Sequence, residues 1–241
     1  MVLPTRAELD SAAQLVYNAM PPTPQYVWPL LSELLGATVW VKHENHTPVG
    51  AFKVRGGIVY FERLREREPR CPGVISATRG NHGQSIGFAA RRSRIPAVIV
   101  VPRGNSVEKN AAMRALGVEL VEQGEDFQEA REHAARLASE RRLHFVPSFH
   151  RDLMLGVASY GVELLCAAPA LDTVYVPIGL GSGICGMISA RAALGHRAEI
   201  VGVVSSHAPA YALSFEAGRP IEAPTTTQLA DGMACRVADA E

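Results

Sequence analysis

Lysine is scarce in this chain: of 24 lysine and arginine residues, only Lys42, Lys53 and Lys109 are lysine. Chemistry that requires a deprotonatable side-chain amine is therefore confined to three positions, because arginine stays protonated. Cysteine is also sparse. Cys71, Cys166, Cys185 and Cys235 form no C-x-x-C pair, which argues against a zinc ribbon or dithiol redox motif and leaves reduced, mostly buried thiols as the expectation. Excess charge of either sign is missing, with 24 acidic residues against 24 basic ones. That balance supplies no field for nucleic acid or an anionic membrane and favours a small metabolite as partner. No stretch stays apolar long enough to span a bilayer, and the N-terminus turns acidic before an apolar run develops, so a soluble cytoplasmic protein is expected.

What is present is an alternation of short β-rich runs with longer segments of helical period, over 241 residues that are 47% hydrophobic. Such alternation is the signature of βαβ units and a parallel sheet. Strands are expected at 38–41, 73–77, 97–101, 118–121, 143–146, 173–176 and 199–204, and helices at 52–67, 82–93, 106–116, 126–141, 150–167 and 183–194. A further helix over 5–19 opens with Thr5 and Glu8 in capping-box spacing. Along the helix after residue 52, Val54, Ile58, Phe61 and Leu64 keep helical spacing and read as core.

Ligands of open α/β sheets bind beyond the carboxyl ends of the strands, and three turns there are unusual. The first carries Phe52-Lys53-Val54-Arg55-Gly56-Gly57 at a helix start. There the macrodipole disfavours a cation and favours the neutral amine that attacks an aldehyde. Gly56 and Gly57, three and four residues on, are expected to leave a bare patch for a flat ring. The second, Thr78-Arg79-Gly80-Asn81-His82-Gly83-Gln84, sets main-chain N–H groups at a helix start, as suits a carboxylate; an asparagine N-cap in a tight turn explains it equally well. The third, Gly179-Leu180-Gly181-Ser182-Gly183, is a glycine-rich loop without lysine or arginine, suited to one phosphate held by main chain.

Residues 181–186 also satisfy G-x-G-x-x-G. A dinucleotide reading is disfavoured, because Ser205 and Ser206 stand at the end of the next strand, where an acidic residue belongs. His43 and His46 do not form H-E-x-x-H and read as polar loop residues. Lys109, beside Glu108 in a polar helix, is expected at the surface, and Lys42 lies along a strand with no glycine-rich turn beside it.

Together and in this order, the Phe-Lys-x-Arg-Gly segment, the Gly-Asn-His-Gly-Gln loop and the glycine-rich loop resemble the fold type II (β-family) pyridoxal-phosphate enzymes, most closely the threonine and serine dehydratases. The resemblance implies an α/β fold of two open twisted parallel-sheet domains with helices on both faces, as in tryptophan synthase β. The larger domain would comprise 1–48 and 149–241, and the smaller one, with Lys53 and the asparagine loop, 49–148. It further implies pyridoxal 5′-phosphate held by Lys53 as a Schiff base, with Phe52 and Asn81 beside the ring and Gly179, Leu180, Gly181, Ser182 and Gly183 around the phosphate. Thr78, Arg79, Gly80, Asn81 and His82 would line the substrate side. The implied reaction is dehydration and deamination of L-threonine or L-serine to a 2-oxo acid and ammonia, by a homo-oligomer (dimer or tetramer).

Departures from the pattern carry information too. Related serine racemases have a serine, acting as a base, where this chain has Arg79, so elimination without efficient racemisation is expected. A hydroxyaspartate-type ammonia-lyase is an alternative, with Arg79 facing a second carboxylate. Residues 205–210 contain no carboxylate, so no metal site is carried over. Family members continue past the segment matching Asp231-Gly232 and there supply the group facing the pyridine nitrogen. This chain ends at Glu241, so an incomplete larger domain is expected, and a non-catalytic protein that binds the cofactor is a further alternative.

Overall fold

Thr5 opens the first helix as its spacing predicts: its hydroxyl accepts from the Glu8 N–H at 3.3 Å, and the Glu8 carboxylate accepts from the Thr5 N–H at 2.8 Å. The computed structural model describes residues 2–227 and 229–238. The expectation attached to Glu241 lies outside them. After α1 (Arg6–Tyr17) come β1 (Gln25–Val27), α2 (Pro29–Leu35) and β2 (Trp40–Lys42), with β1 and β2 paired antiparallel. Neither β1 nor α2 was expected. β1 spans three residues and α2 buries none of its side chains, so neither leaves a hydrophobic period to read.

The predicted alternation follows: α3 (Lys53–Arg67), β3 (Val74–Ala77), α4 (Asn81–Ser93), β4 (Ala97–Val101), α5 (Val107–Ala115), β5 (Glu119–Glu122), α6 (Phe127–Arg141) and β6 (His144–Phe145). Then come α7 (Arg151–Ala167), β7 (Thr173–Pro177), α8 (Ser182–Leu194), β8 (Glu199–Val203) and the unpredicted α9 (Ala210–Ala217), which buries only Ala210. Strands β5-β4-β3-β6 form a parallel sheet, and β7-β8 form another. Side chains alternate across the four-stranded sheet as its pleat requires. Val74, Ile99 and Val101 pack with Ile86 and Ala90 of α4, while Ile75, Val98 and Val100 meet the small stripe Ala130, Ala134 and Ala138 of α6. Helices thus cover both faces, the α/β class read from the sequence.

Helix α7 is buried almost throughout and ties the cores together, Leu153 packing toward the four-stranded sheet and Val157, Leu164 and Leu165 toward β7. Its crossing with α3 corrects one expectation. Gly56 and Gly57 do not open a patch for a ring. A methyl on Gly56 would lie 2.6 Å from the Leu153 carbonyl oxygen of α7, and one on Gly57 would lie 2.8 Å from the Ser85 carbonyl oxygen of α4. Gly156 is the counterpart on α7, where a methyl would overlap the Arg55 carbonyl oxygen and lie 2.8 Å from the Gly56 Cα. The bare glycines let backbones approach more closely than any side chain permits.

Under the same crossing, Arg55 is fully buried. Its guanidinium donates to Glu44 (2.8 and 2.9 Å), to Glu163 (2.6 and 3.0 Å), to Ser159 (2.9 Å) and to Thr23 (3.2 Å). Lys42 adds a second cation, 2.6 Å from Glu163. Burial works against ionisation of Glu163, but Arg55 and Lys42 outweigh it and hold the carboxyl below its ordinary range.

Because Gly156→Ala forces a methyl into the α3 backbone, it is expected to destabilise the fold by about 1–3 kcal/mol. The measurement is the urea unfolding midpoint. An unchanged midpoint would refute the close crossing.

Candidate active site

Lys53 is the first residue of α3, with Phe52 at the N-cap position. The Lys53 carbonyl accepts from the Ser85 hydroxyl of α4 at 2.6 Å, and its Nζ donates to the Ser182 hydroxyl at the start of α8 at 3.3 Å. One residue thus joins the asparagine-loop helix to the glycine-rich loop. Gly181 precedes α8 with φ +91°, a left-handed conformation that favours glycine. The Phe52 ring stands edge-on to Tyr160 at 6.1 Å, and the Tyr160 hydroxyl donates to the Gly183 carbonyl at 2.9 Å. A methyl on Gly183 would touch the Phe52 ring and the Tyr160 hydroxyl oxygen, each at 3.6 Å.

Burial lowers the Lys53 ammonium to about 8. Burial and then the Lys53 charge lower His82 to about 3, so at neutral pH its imidazole is uncharged, while Lys53 is neutral in about a tenth of molecules at pH 7 and in half of them near pH 8. Cys235 belongs to the same environment: burial raises its thiol to about 11, against the pull of Lys53.

The helix starts here are unusual in another respect. Helices α1, α5, α6 and α7 are capped by the side chains of Thr5, Ser106, Asp126 and His150, whereas α3, α4 and α8 have no side-chain cap. Helices α2 and α9 are also uncapped, but they lie outside this group of residues. Among the described residues no side chain accepts from the first N–H groups of α4 and α8, and such groups bind anions. In α4 the N-cap is Gly80, not Asn81; Asn81 is the exposed first helical residue and makes no side-chain hydrogen bond among the described residues. Thr78 is buried and accepts from the Gly80 N–H at 2.9 Å.

Predicted residues therefore converge: Lys53 and Phe52 meet Ser182 and Gly183, and His82 lies within the electrostatic reach of Lys53. Leu180 and Arg79 make no polar side-chain contact among the described residues. Lys109 was misplaced at the surface by sequence. It donates to Asp231 at 2.6 Å, and its aliphatic stem covers Gly80, where a methyl would lie 2.7 Å from its Cδ. Beside Asp231, the Gly232 carbonyl oxygen lies 2.6 Å from where a methyl on Gly179 would be. The segment around Asp231–Met233 thus spans from the asparagine loop to the glycine-rich loop. Ser85, Tyr160 and Cys235 were not singled out either, since contacts between distant elements leave no local spacing. The cysteines are less buried than expected: Cys166 is exposed, and Cys71, Cys185 and Cys235 are intermediate.

The residues fit pyridoxal phosphate. They offer a partly neutral lysine, an aromatic side chain beside it, and a glycine loop whose helix start has no side-chain cap and carries no cation. With lysine labelled in only three positions, one Nζ resonance should titrate near pH 8, protonated below and neutral above, and should disappear in Lys53→Ala. A Lys53 midpoint at the ordinary 10.5 would remove the desolvated-amine account.

A family profile described as pyridoxal-phosphate dependent enzyme matches residues 16–241. The chain is 33% identical over 236 residues to the biosynthetic L-threonine dehydratase of Pasteurella multocida, covering 97% of this chain and 46% of that protein. With the L-threonine ammonia-lyase of Geobacter sulfurreducens it shares 35% identity over 206 residues, 85% of this chain and 51% of the relative. It thus spans about half the length of these curated relatives. The processed form of threonine deaminase isoform 2 from Solanum lycopersicum superposes with a TM-score of 0.86 at 29% identity, over 99% of this chain and 72% of that one. Matched over nearly its whole length, the chain belongs to the pyridoxal-phosphate dependent enzyme family.

Proposed function

We propose that this chain carries out α,β-elimination on a small hydroxy-amino acid, L-threonine or L-serine, releasing a 2-oxo acid and ammonia. The observation that carries this reading is the desolvated Lys53 amine, lowered to about 8 and set 3.3 Å from Ser182 at the glycine-rich loop. Lys53 holds the cofactor through its ε-amine, Phe52 and Asn81 flank the ring, and the main chain of residues 179–183 surrounds the phosphate. When bound, the cofactor supplies an electron sink for the substrate α-carbon. In its neutral form the Lys53 Nζ would take the α-proton, with the Ser182 hydroxyl 3.3 Å away to orient that amine. Thr78, Arg79, Gly80, Asn81 and His82 line the substrate side, with the uncapped start of α4 facing the α-carboxylate.

The same reading divides the chain into 1–48 with 149–241 and a smaller 49–148. Its support is that β3, β4, β5 and β6 fall within the smaller part and β1, β2, β7 and β8 within the larger. No helix among the described residues is long and apolar enough to cross a membrane. We propose a cytoplasmic homo-oligomer, dimer or tetramer; exposed Leu30 and Leu34 on α2 support the association of copies.

Added pyridoxal phosphate should produce a visible absorbance band that is lost in Lys53→Ala. L-threonine or L-serine should then yield a 2-oxo acid, with no comparable formation of D-serine from L-serine. A band without 2-oxo acid would favour the non-catalytic alternative, and no band in folded protein would sink the cofactor assignment.

A further inference from the structure

Arg79 sits in the turn between buried Thr78 and Gly80, where the hydrogen bond from the Gly80 N–H to the Thr78 hydroxyl (2.9 Å) holds the backbone and Lys109 covers Gly80. Its Nε is buried with no hydrogen-bond partner, and its guanidinium forms no ion pair among the described residues. Buried donors in native proteins are ordinarily satisfied, and an unpaired one carries a desolvation cost of about 1–3 kcal/mol. Other partly shielded arginines are paired: Arg63 with Asp152 and Arg151 with Glu8. The neighbouring cation does not share the difficulty, because Lys109 is neutralised by Asp231.

A second, independent observation lies three residues along. His82 is 7% exposed, and its Nε2 is also buried without a partner. The nearby backbone of Pro147, which has no N–H and can only accept, works the other way and favours the protonated ring, but burial and Lys53 outweigh it. Among the described residues the loop thus holds a guanidinium Nε and an imidazole Nε2 that are buried without partners, beside an uncapped helix start suited to one carboxylate. A monocarboxylate placed on the helix start leaves Arg79 unsatisfied.

We propose that Arg79 is a specificity-determining residue that binds a second substrate carboxylate, so that among the hydroxy-amino acids open to the proposed elimination the four-carbon dicarboxylates, the 3-hydroxyaspartates, are bound in preference to threonine and serine. This rests on the elimination reading for the reaction but not for the binding. A planar guanidinium grips a carboxylate bidentately, and neither a methyl nor a hydroxymethyl terminus reproduces that contact.

The test is calorimetric binding of malate and of 2-hydroxybutyrate to the cofactor-loaded chain. Both lack the amine and so are not turned over, and they differ in the second carboxylate. Malate is expected to bind about 10- to 100-fold more tightly, as a charged hydrogen-bonded contact implies, and Arg79→Met should abolish the difference. Equal affinities in the parent overturn the proposal without any variant, and so does a malate preference that survives Arg79→Met. Release of 2-oxo acid is then compared for 3-hydroxyaspartate and threonine. Turnover of threonine without a malate preference leaves the elimination reading standing and sinks this one; an Arg79-dependent malate preference without turnover of any substrate does the reverse.

Discussion

The buried pairing of Arg55 with Glu44 and Glu163 is the constraint on which the position of Lys53 depends. Only Val54 separates Arg55 from Lys53, so whatever fixes the guanidinium also fixes the first turn of α3. Glu44 comes from the loop after β2 and Glu163 from α7, and Lys42 completes a set of two cations and two anions. Placing four charges in a protein interior is costly, and the mutual attraction offsets that cost only because nearly every donor finds an acceptor at good distance. What such a cluster provides is geometry. In this placement of α3 one guanidinium reaches both carboxylates, and lysine in place of Arg55 lacks the planar fork that reaches them together.

Around this cluster the helices approach more closely than side chains allow. Gly56 against Leu153, Gly57 against Ser85 and Gly156 against Arg55 bring α3, α4 and α7 to backbone contact. The approach sets the Ser85 hydroxyl on the Lys53 carbonyl and buries the Lys53 amine, and that burial lowers its proton affinity. Packing and chemistry are therefore one arrangement: the glycines that cost helix propensity also remove water from the lysine.

The α/β alternation was legible because a strand buried on both faces, such as β4, is an unbroken short apolar run, while a helix facing a sheet repeats its apolar residues at helical spacing, as the alanines of α6 do. Elements that bury little, β1, α2 and α9, leave no such period and went unread. At the site, Lys53, the asparagine loop and the glycine-rich loop stood out because glycine, asparagine and a rare lysine are conspicuous in turns after strands. Gly56 and Gly57 were noticed for the right reason, an unexplained absence of side chains, and were given the wrong partner. A sequence does not say whether the space beside a glycine is filled by a ligand or by another helix.

The chain by itself determined its class, the order of its elements and the three turns of the site, since these follow from local periods and from the φ/ψ and hydrogen-bonding character of single residues. Tertiary structure alone decided that Lys109 pairs with Asp231 across the site, that Tyr160 and Ser85 brace the residues around Lys53, and that the Nε of Arg79 is buried without a partner among the described residues. Each is a relation between elements far apart in sequence. Burial, proton affinity and charge pairing are properties of such an assembled environment, not of the residue that experiences them.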